Sequence, residues 1–203
     1  MLRYRHSYLV ALLLSSSVVL SDTDVIPLNQ SQNPWFEEAQ SKLAEKPVLE
    51  PEKKAKNIIL FVGDGMGVST ITAARILDGQ NKGLAGEENS LSFEAFPFTG
   101  LSKTYNVDAQ TPDSAGTMTA IITGVKTDAG IIGIDEDVTR GDCTSVSGNE
   151  LVSALELAEM AGQSTGFVTT TRVTHATPAA TYAKSPERNW EDSSDLPRDA
   201  VTA

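Results

Sequence analysis

Two short stretches of this chain carry residue types suited to chemistry. In the first, Ile58-Ile59-Leu60-Phe61-Val62 runs into Gly63-Asp64-Gly65-Met66-Gly67, so a carboxylate follows an apolar, β-branched-rich segment and stands among three glycines. Ligand sites in open α/β sheets form outside the carboxyl ends of strands, where glycine lets the backbone turn sharply and approach an ion. Asp64 in that place is a hard oxygen donor for a divalent cation. The same residues also serve as a plain turn between a strand and the next helix, since short glycine motifs arise by chance. A nucleotide loop fits worse. Val68 stands where the dinucleotide fingerprint has its third glycine, and no Lys-Ser or Lys-Thr pair completes a P-loop.

In the second stretch, Thr111-Pro112-Asp113-Ser114-Ala115-Gly116-Thr117 leads into a helical spacing of Ala115, Met118, Ile121 and Ile122 that Gly124 closes. Ser114 then lies at a helix N-terminus, where unpaired N–H groups and the helix dipole favour an anion such as an alkoxide or a phosphate. Asp113 and Ser114 also read as ordinary N-cap residues, although two such polar side chains exceed the need of one cap. The stretch is not the nucleophile elbow of serine hydrolases, because the Gly-x-Ser-x-Gly frame is missing.

The elements that must position these residues alternate. Residues 58–62 form a continuous apolar run, the pattern of a strand covered on both faces in a parallel sheet. From Gly67, the residues Val68, Ile71, Ala74 and Leu77 recur every three positions and predict a helix that Gly79 stops. A polar loop over 80–90 and a weaker strand over 98–105 come next. Asn149 or Glu150 starts another helix, with Leu151, Leu155 and Ala158 on one side and Gly162 at its end, and a strand resumes over 165–170. Strands alternating with helices predict an α/β fold with a mostly parallel sheet flanked by helices.

Upstream, Asn33-Pro34 opens a helix by a cap residue followed by proline at the first helical position. Trp35, Phe36, Ala39 and Leu43 share one face, and Glu38 and Lys42 form an i,i+4 pair on the other, so this amphipathic arm must dock on something. The residues before it, 22–32, are polar and read as loose, and 47–56 read as a linker. Residues 1–21 read as a secretory signal, with Arg3 and Arg5 ahead of an apolar stretch too short for a comfortable membrane span. The division expected is a signal peptide over 1–21, arm and linker over 22–56, and a domain from 57 to 203. The protein is therefore expected to be exported, to the periplasm or outside the cell.

At 203 residues with 40% hydrophobic content the chain can bury one sizeable core, and its net charge of -11 argues against a nucleic-acid footprint, which needs a basic stripe. Cys143 is the only cysteine, so the chain cannot form a disulfide within itself.

Four blocks stand in an order that resembles alkaline phosphatases: Gly63-Asp64-Gly65-Met66-Gly67, Thr111-Pro112-Asp113-Ser114-Ala115, Thr169-Thr170-Thr171-Arg172-Val173-Thr174-His175-Ala176-Thr177-Pro178, and Arg188-Asn189-Trp190. The resemblance runs from the arm near Trp35 almost to the last residue, and it implies an alkaline-phosphatase-like core, incomplete in this chain. It further implies that Asp64 binds zinc and bridges towards magnesium, that Ser114 is the nucleophile that becomes phosphorylated, and that Thr177 ligates magnesium. His175 falls where the family varies between histidine and aspartate beside the magnesium; as a residue in its own right it equally reads as a hydrogen-bonding histidine. Arg188 would grip two phosphate oxygens with a planar, permanently charged fork, oriented by Asp113. The implied cofactors are two Zn2+ and one Mg2+, and the implied substrates are small phosphate monoesters. The arm resembles the family's dimer-contact segment, which implies a homodimer for the full-length protein.

The metal arithmetic then limits the chain. It has two histidines, His6 in the presumed leader and His175, whereas catalytic zinc takes three protein ligands. Most of the ligands are therefore expected downstream. Family members are more than twice this length, so the sequence reads as the N-terminal part of such an enzyme, a truncated or partial reading frame whose 203 residues alone show little activity. Two other classes stay open: a phosphate- or metal-binding fragment without turnover, and a related transferase, mutase or sulfatase of similar fold. Pro112-Asp113-Ser114-Ala115 lacks a sulfatase signature, which favours phosphate.

Overall fold

The computed structural model describes residues 29–45, 55–96 and 98–197. The expected signal peptide, most of the linker and the last six residues lie outside them. Five α-helices order the described chain: α1 Pro34–Ala44, α2 Val68–Asn81, α3 Ser114–Thr123, α4 Ala154–Met160 and α5 Ala176–Ala179. No described helix is long and apolar enough to cross a membrane.

The centre of the molecule is α3, which packs on α4 and α5. Its Ala115, Met118 and Ile122 close over Ile132, Ala176, Ala179 and Ala180, with Leu155 and Ala183 at the margin. A second cluster joins Ile131, Ile134 and Val138, against which Val146 packs. Ile121, expected on the inward face of α3, is exposed. α3 ends as its sequence predicts, with Gly124 in the left-handed conformation at φ 80°.

The arm docks on its own chain. Asn33 caps α1 by accepting the Trp35 N–H at 3.0 Å, with Pro34 at the first helical position. The Trp35 indole donates to Glu136 Oε1 at 3.2 Å and meets Tyr105 edge to face, while the Phe36 ring lies against Gly124. The residues just before it are not loose. Asn29–Gln32 form a 3-10 turn in which Gln30 is 3% exposed. Its side-chain amide donates to Thr123 O and Val152 O at 3.3 and 2.8 Å and accepts the Val152 N–H at 3.0 Å. A glutamine that satisfies three backbone groups ties the arm to the end of α3, and no spacing rule marks it in the sequence.

Two helix boundaries differ from expectation for identifiable reasons. α2 runs through Gly79 to Asn81. Gly79 is instead where the chain folds back, since a Cβ there would sit 2.7 Å from the Gly86 Cα. α4 begins at Ala154, because Ser153 and Glu156 form a reciprocal capping box, the Glu156 N–H donating to Ser153 Oγ at 3.2 Å and the Ser153 N–H to Glu156 Oε2 at 2.6 Å. Residues 149–152 are not helical, and Glu150 instead forms an antiparallel bridge to Ile134.

Among the described residues there is no β-ladder, only that bridge and a second between Ile132 and Ser185, both antiparallel. The expected parallel sheet is thus not formed here. The apolar run 58–62 is left largely exposed, with Ile58 and Phe61 each 90% exposed. Phe98, Leu101 and Val168, in the two other strand candidates, are exposed as well. A strand is made by its neighbours, and these segments have the composition of covered strands without a partner in the chain described.

Candidate active site

The N-terminus of α3 gathers most of the polar residues singled out above. Asp64, on the turn after residues 58–62, reaches it from one side. Ser114 Oγ donates to Asp64 Oδ1 and Oδ2 at 3.1 and 3.2 Å, and Thr177 Oγ1, from α5, donates to Asp64 Oδ2 at 2.6 Å. Two residues that stand 50 and 113 positions from Asp64 in the chain thus bring their hydroxyls to its one carboxylate. The donor set is all oxygen and carries one charge, which suits a hard divalent cation but fills only part of a coordination shell. Among the described residues no group of three or more His, Cys, Asp or Glu side chains could hold a metal ion.

Asp113 caps α3 and holds the other half of the site. Its Oδ1 accepts the Gly116 N–H at 3.1 Å and Asn106 Nδ2 at 2.8 Å. Its Oδ2 accepts the Gly130 N–H at 3.0 Å and Arg188 Nη1 at 2.9 Å. Burial by itself would raise the pKa of this carboxyl, but the Gly116 N–H, Arg188 and Asn106 together outweigh it and hold the pKa below the ordinary range. Asp113 is therefore a charged cap and a clamp on Arg188 at once, so the two readings of it were never alternatives.

The second guanidinium nitrogen, Arg188 Nη2, lies 3.3 Å from His175 Nε2. Guanidinium groups only donate, so Nε2 accepts in this contact. Nδ1 is buried with no partner among the described residues. His175 therefore faces Arg188 and not the Asp64 carboxylate as a direct hydrogen-bond partner.

Asn106 and Gly130 complete the clamp and were not singled out from sequence. Asn106 belongs to an otherwise unremarkable Tyr-Asn-Val stretch, and Gly130 acts through its peptide groups, which leave no signature in residue type. Cys143 is a free thiol of intermediate exposure in a 3-10 turn, Cys143–Ser145, and touches none of these residues through the hydrogen bonds observed.

The alkaline phosphatase family model matches residues 55–203. The human tissue-nonspecific alkaline phosphatase isozyme is 47% identical over 195 residues, covering 94% of this chain and 37% of its own. The chain thus spans about 37% of the length of that curated relative. Among solved structures, the Thermus thermophilus alkaline phosphatase is 32% identical, with a TM-score of 0.53 over 64% of this chain and 25% of that one. A variant of the alkaline phosphatase from the Antarctic bacterium TAB5, with Mg bound in its M3 site, is 30% identical, with a TM-score of 0.51 over 63% of this chain and 32% of that one. The similarity spans both halves of the site and the α3 core that joins them, and on it this chain belongs to the alkaline phosphatase family.

Proposed function

We propose that this chain supplies the nucleophile and the phosphate-gripping fork of a centre that hydrolyses phosphate monoesters through a phosphoserine on Ser114. One observation carries the reading: Ser114, at the first position of α3, shares Asp64 with Thr177, while its neighbour Asp113 clamps Arg188 from the same cap.

The chemistry follows from placement. The phosphoryl group sits at the α3 N-terminus, where backbone N–H groups and the helix dipole favour its charge. Arg188, already fixed by Asp113, presents its planar fork to the phosphate oxygens and offsets charge on the transferred group. Ser114 Oγ forms the new P–O bond as the ester P–O bond breaks and the alcohol departs. Water then cleaves the phosphoserine, returning the Ser114 hydroxyl and releasing inorganic phosphate.

A serine hydroxyl is a weak nucleophile near neutral pH. Asp64, Ser114 and Thr177 fit as part of the shell of a divalent cation, and the Mg bound in the TAB5 relative supports a metal-dependent site. Zinc bound there would supply Lewis acidity, which lowers the pKa of coordinated water to about 7. Two Zn2+ and one Mg2+ require more ligands than these residues provide, so in this reading the rest come from the part of the relatives' length that the chain does not span. The 203 residues alone then show little phosphatase activity. The same reading places 58–62 and 165–170 as strands of a mostly parallel sheet completed by that remainder, which accounts for their exposed apolar side chains.

Export rests on the sequence of residues 1–21 alone. Dimerisation of the full-length protein would use the outer side of the arm, because Trp35 and Phe36 already face their own chain.

Arg188 gives the direct test. In a chimera where this chain replaces the matched stretch of the human isozyme, Arg188→Ala is expected to lower kcat/KM for an aryl phosphate by about 10²- to 10³-fold, the loss of two charge-assisted hydrogen bonds. Arg188→Lys restores only part of this, since an ammonium lacks the planar fork. Unchanged kinetics in both variants would sink the assignment.

A further inference from the structure

We propose that Arg140 is a positioning residue for the phosphate-gripping fork, bracing Gly130 so that Asp113 and Arg188 hold their relative placement; this rests on the phosphatase reading above. Gly130 is the hinge between the two. Its N–H donates to Asp113 Oδ2 at 3.0 Å, and its carbonyl accepts the Arg188 N–H at 2.8 Å. One peptide unit on either side of a single α-carbon therefore fixes the carboxylate and the backbone of the arginine it clamps.

The Arg140 guanidinium lies directly over that α-carbon. Gly130 has φ +86°, and a Cβ built on it would stand 2.3 Å from Arg140 Cζ and 2.5 Å from Nε. Only glycine allows both that conformation and that approach. From this place the guanidinium reaches both flanks of the hinge. Nη1 donates to the Ala129 carbonyl at 3.3 Å, while Nε and Nη2 donate to Glu187 Oε2 and Oε1 at 2.7 and 3.0 Å. Glu187 immediately precedes Arg188, and the Gly141 N–H adds a bond to the Pro186 carbonyl at 3.0 Å. Every partner of the Arg140 fork is a chain neighbour of Gly130 or of Arg188.

The Arg140 side chain is 45% exposed, and an ion pair so placed contributes little to global stability. Its two-pronged geometry fixes direction instead, which an ammonium cannot reproduce. Arg140 touches neither Asp113 nor Arg188 by a hydrogen bond, so its effect passes through Gly130 and Glu187.

The test uses the 203-residue chain and two readouts: amide hydrogen exchange at Gly130 and Arg188, and binding of inorganic phosphate followed by ³¹P NMR. Arg140→Ala and Glu187→Gln are expected to speed exchange at those two amides about tenfold while amides within α3 keep wild-type rates, the mark of a local opening. Arg140→Lys behaves like Arg140→Ala. Arg75→Ala, which removes a different surface pair with Glu94, leaves both amides unchanged. Where the wild-type chain binds phosphate, Arg140→Ala weakens that binding about tenfold by losing preorganisation. Unchanged exchange in Arg140→Ala, full rescue by lysine, or unchanged phosphate affinity overturns the brace. Absence of phosphate binding by the wild type counts against the phosphate-site reading, and the exchange measurement then decides the brace by itself.

Discussion

Ser114→Ala, introduced into the chimera with the human isozyme, is expected to lower kcat for an aryl phosphate by about 10⁴- to 10⁶-fold, the scale seen when a catalytic nucleophile is removed. KM should change little, because Arg188 and the α3 N-terminus still grip the phosphoryl group. The variant should fold normally. Ser114 is the first residue of α3 while Asp113 is its cap, so the helix keeps the bond from the Gly116 N–H, and only the two contacts to Asp64 are lost. A variant with kcat within tenfold of the parent would mean that Ser114 is a helix-start residue and nothing more.

The second large effect is on folding. Asp113→Ala removes the acceptor of four donors at one stroke: the Gly116 and Gly130 amides, Asn106 and Arg188. Loss of the cap costs about 1 kcal/mol. Leaving a half-buried guanidinium unpaired adds to it, discounted because both side chains keep partial access to solvent. The expected loss is about 2–4 kcal/mol in urea denaturation of the 203-residue chain. Asp113→Asn keeps Oδ1 as an acceptor and should lose about half as much. The sign of the pH dependence follows from the lowered pKa of Asp113. Its contribution is fully present above the ordinary carboxylate value and is lost as pH falls through the lower, folded value. The stability gap between wild type and Asp113→Asn should therefore narrow below about pH 4. A gap that widens on acidification would contradict the ion pair.

Residue types made the site largely legible before any geometry. Asp64 after an apolar run, Asp113 and Ser114 before a helical spacing, and Arg188 as a fork all meet around the start of α3. Thr177, which the resemblance makes a magnesium ligand, donates to Asp64. His175 contacts Arg188, a pairing that residue spacing does not encode. Gly130 acts through its peptide groups, Asn106 through one side-chain bond to Asp113, and Arg140 and Glu187 through a pair that spans 47 positions, none of which residue type marks. Helix ends were readable where a single residue sets them, as at Asn33 and Gly124. They were misplaced at Gly79 and Ser153, where a returning chain and a reciprocal cap decide the boundary. The sheet differs in kind. Periodicity identifies a segment that wants covering on both faces, and whether a neighbour covers it is a property of other parts of a chain.

The central claim is that Ser114 carries the phosphoryl group. The most direct measurement is acid quench of the chimera during turnover of an aryl phosphate with Zn2+ and Mg2+, followed by peptide mass spectrometry. One phosphoryl group on Ser114, absent from Ser114→Ala, is the predicted result. Turnover with no adduct on Ser114, or with the adduct on another residue, would contradict it.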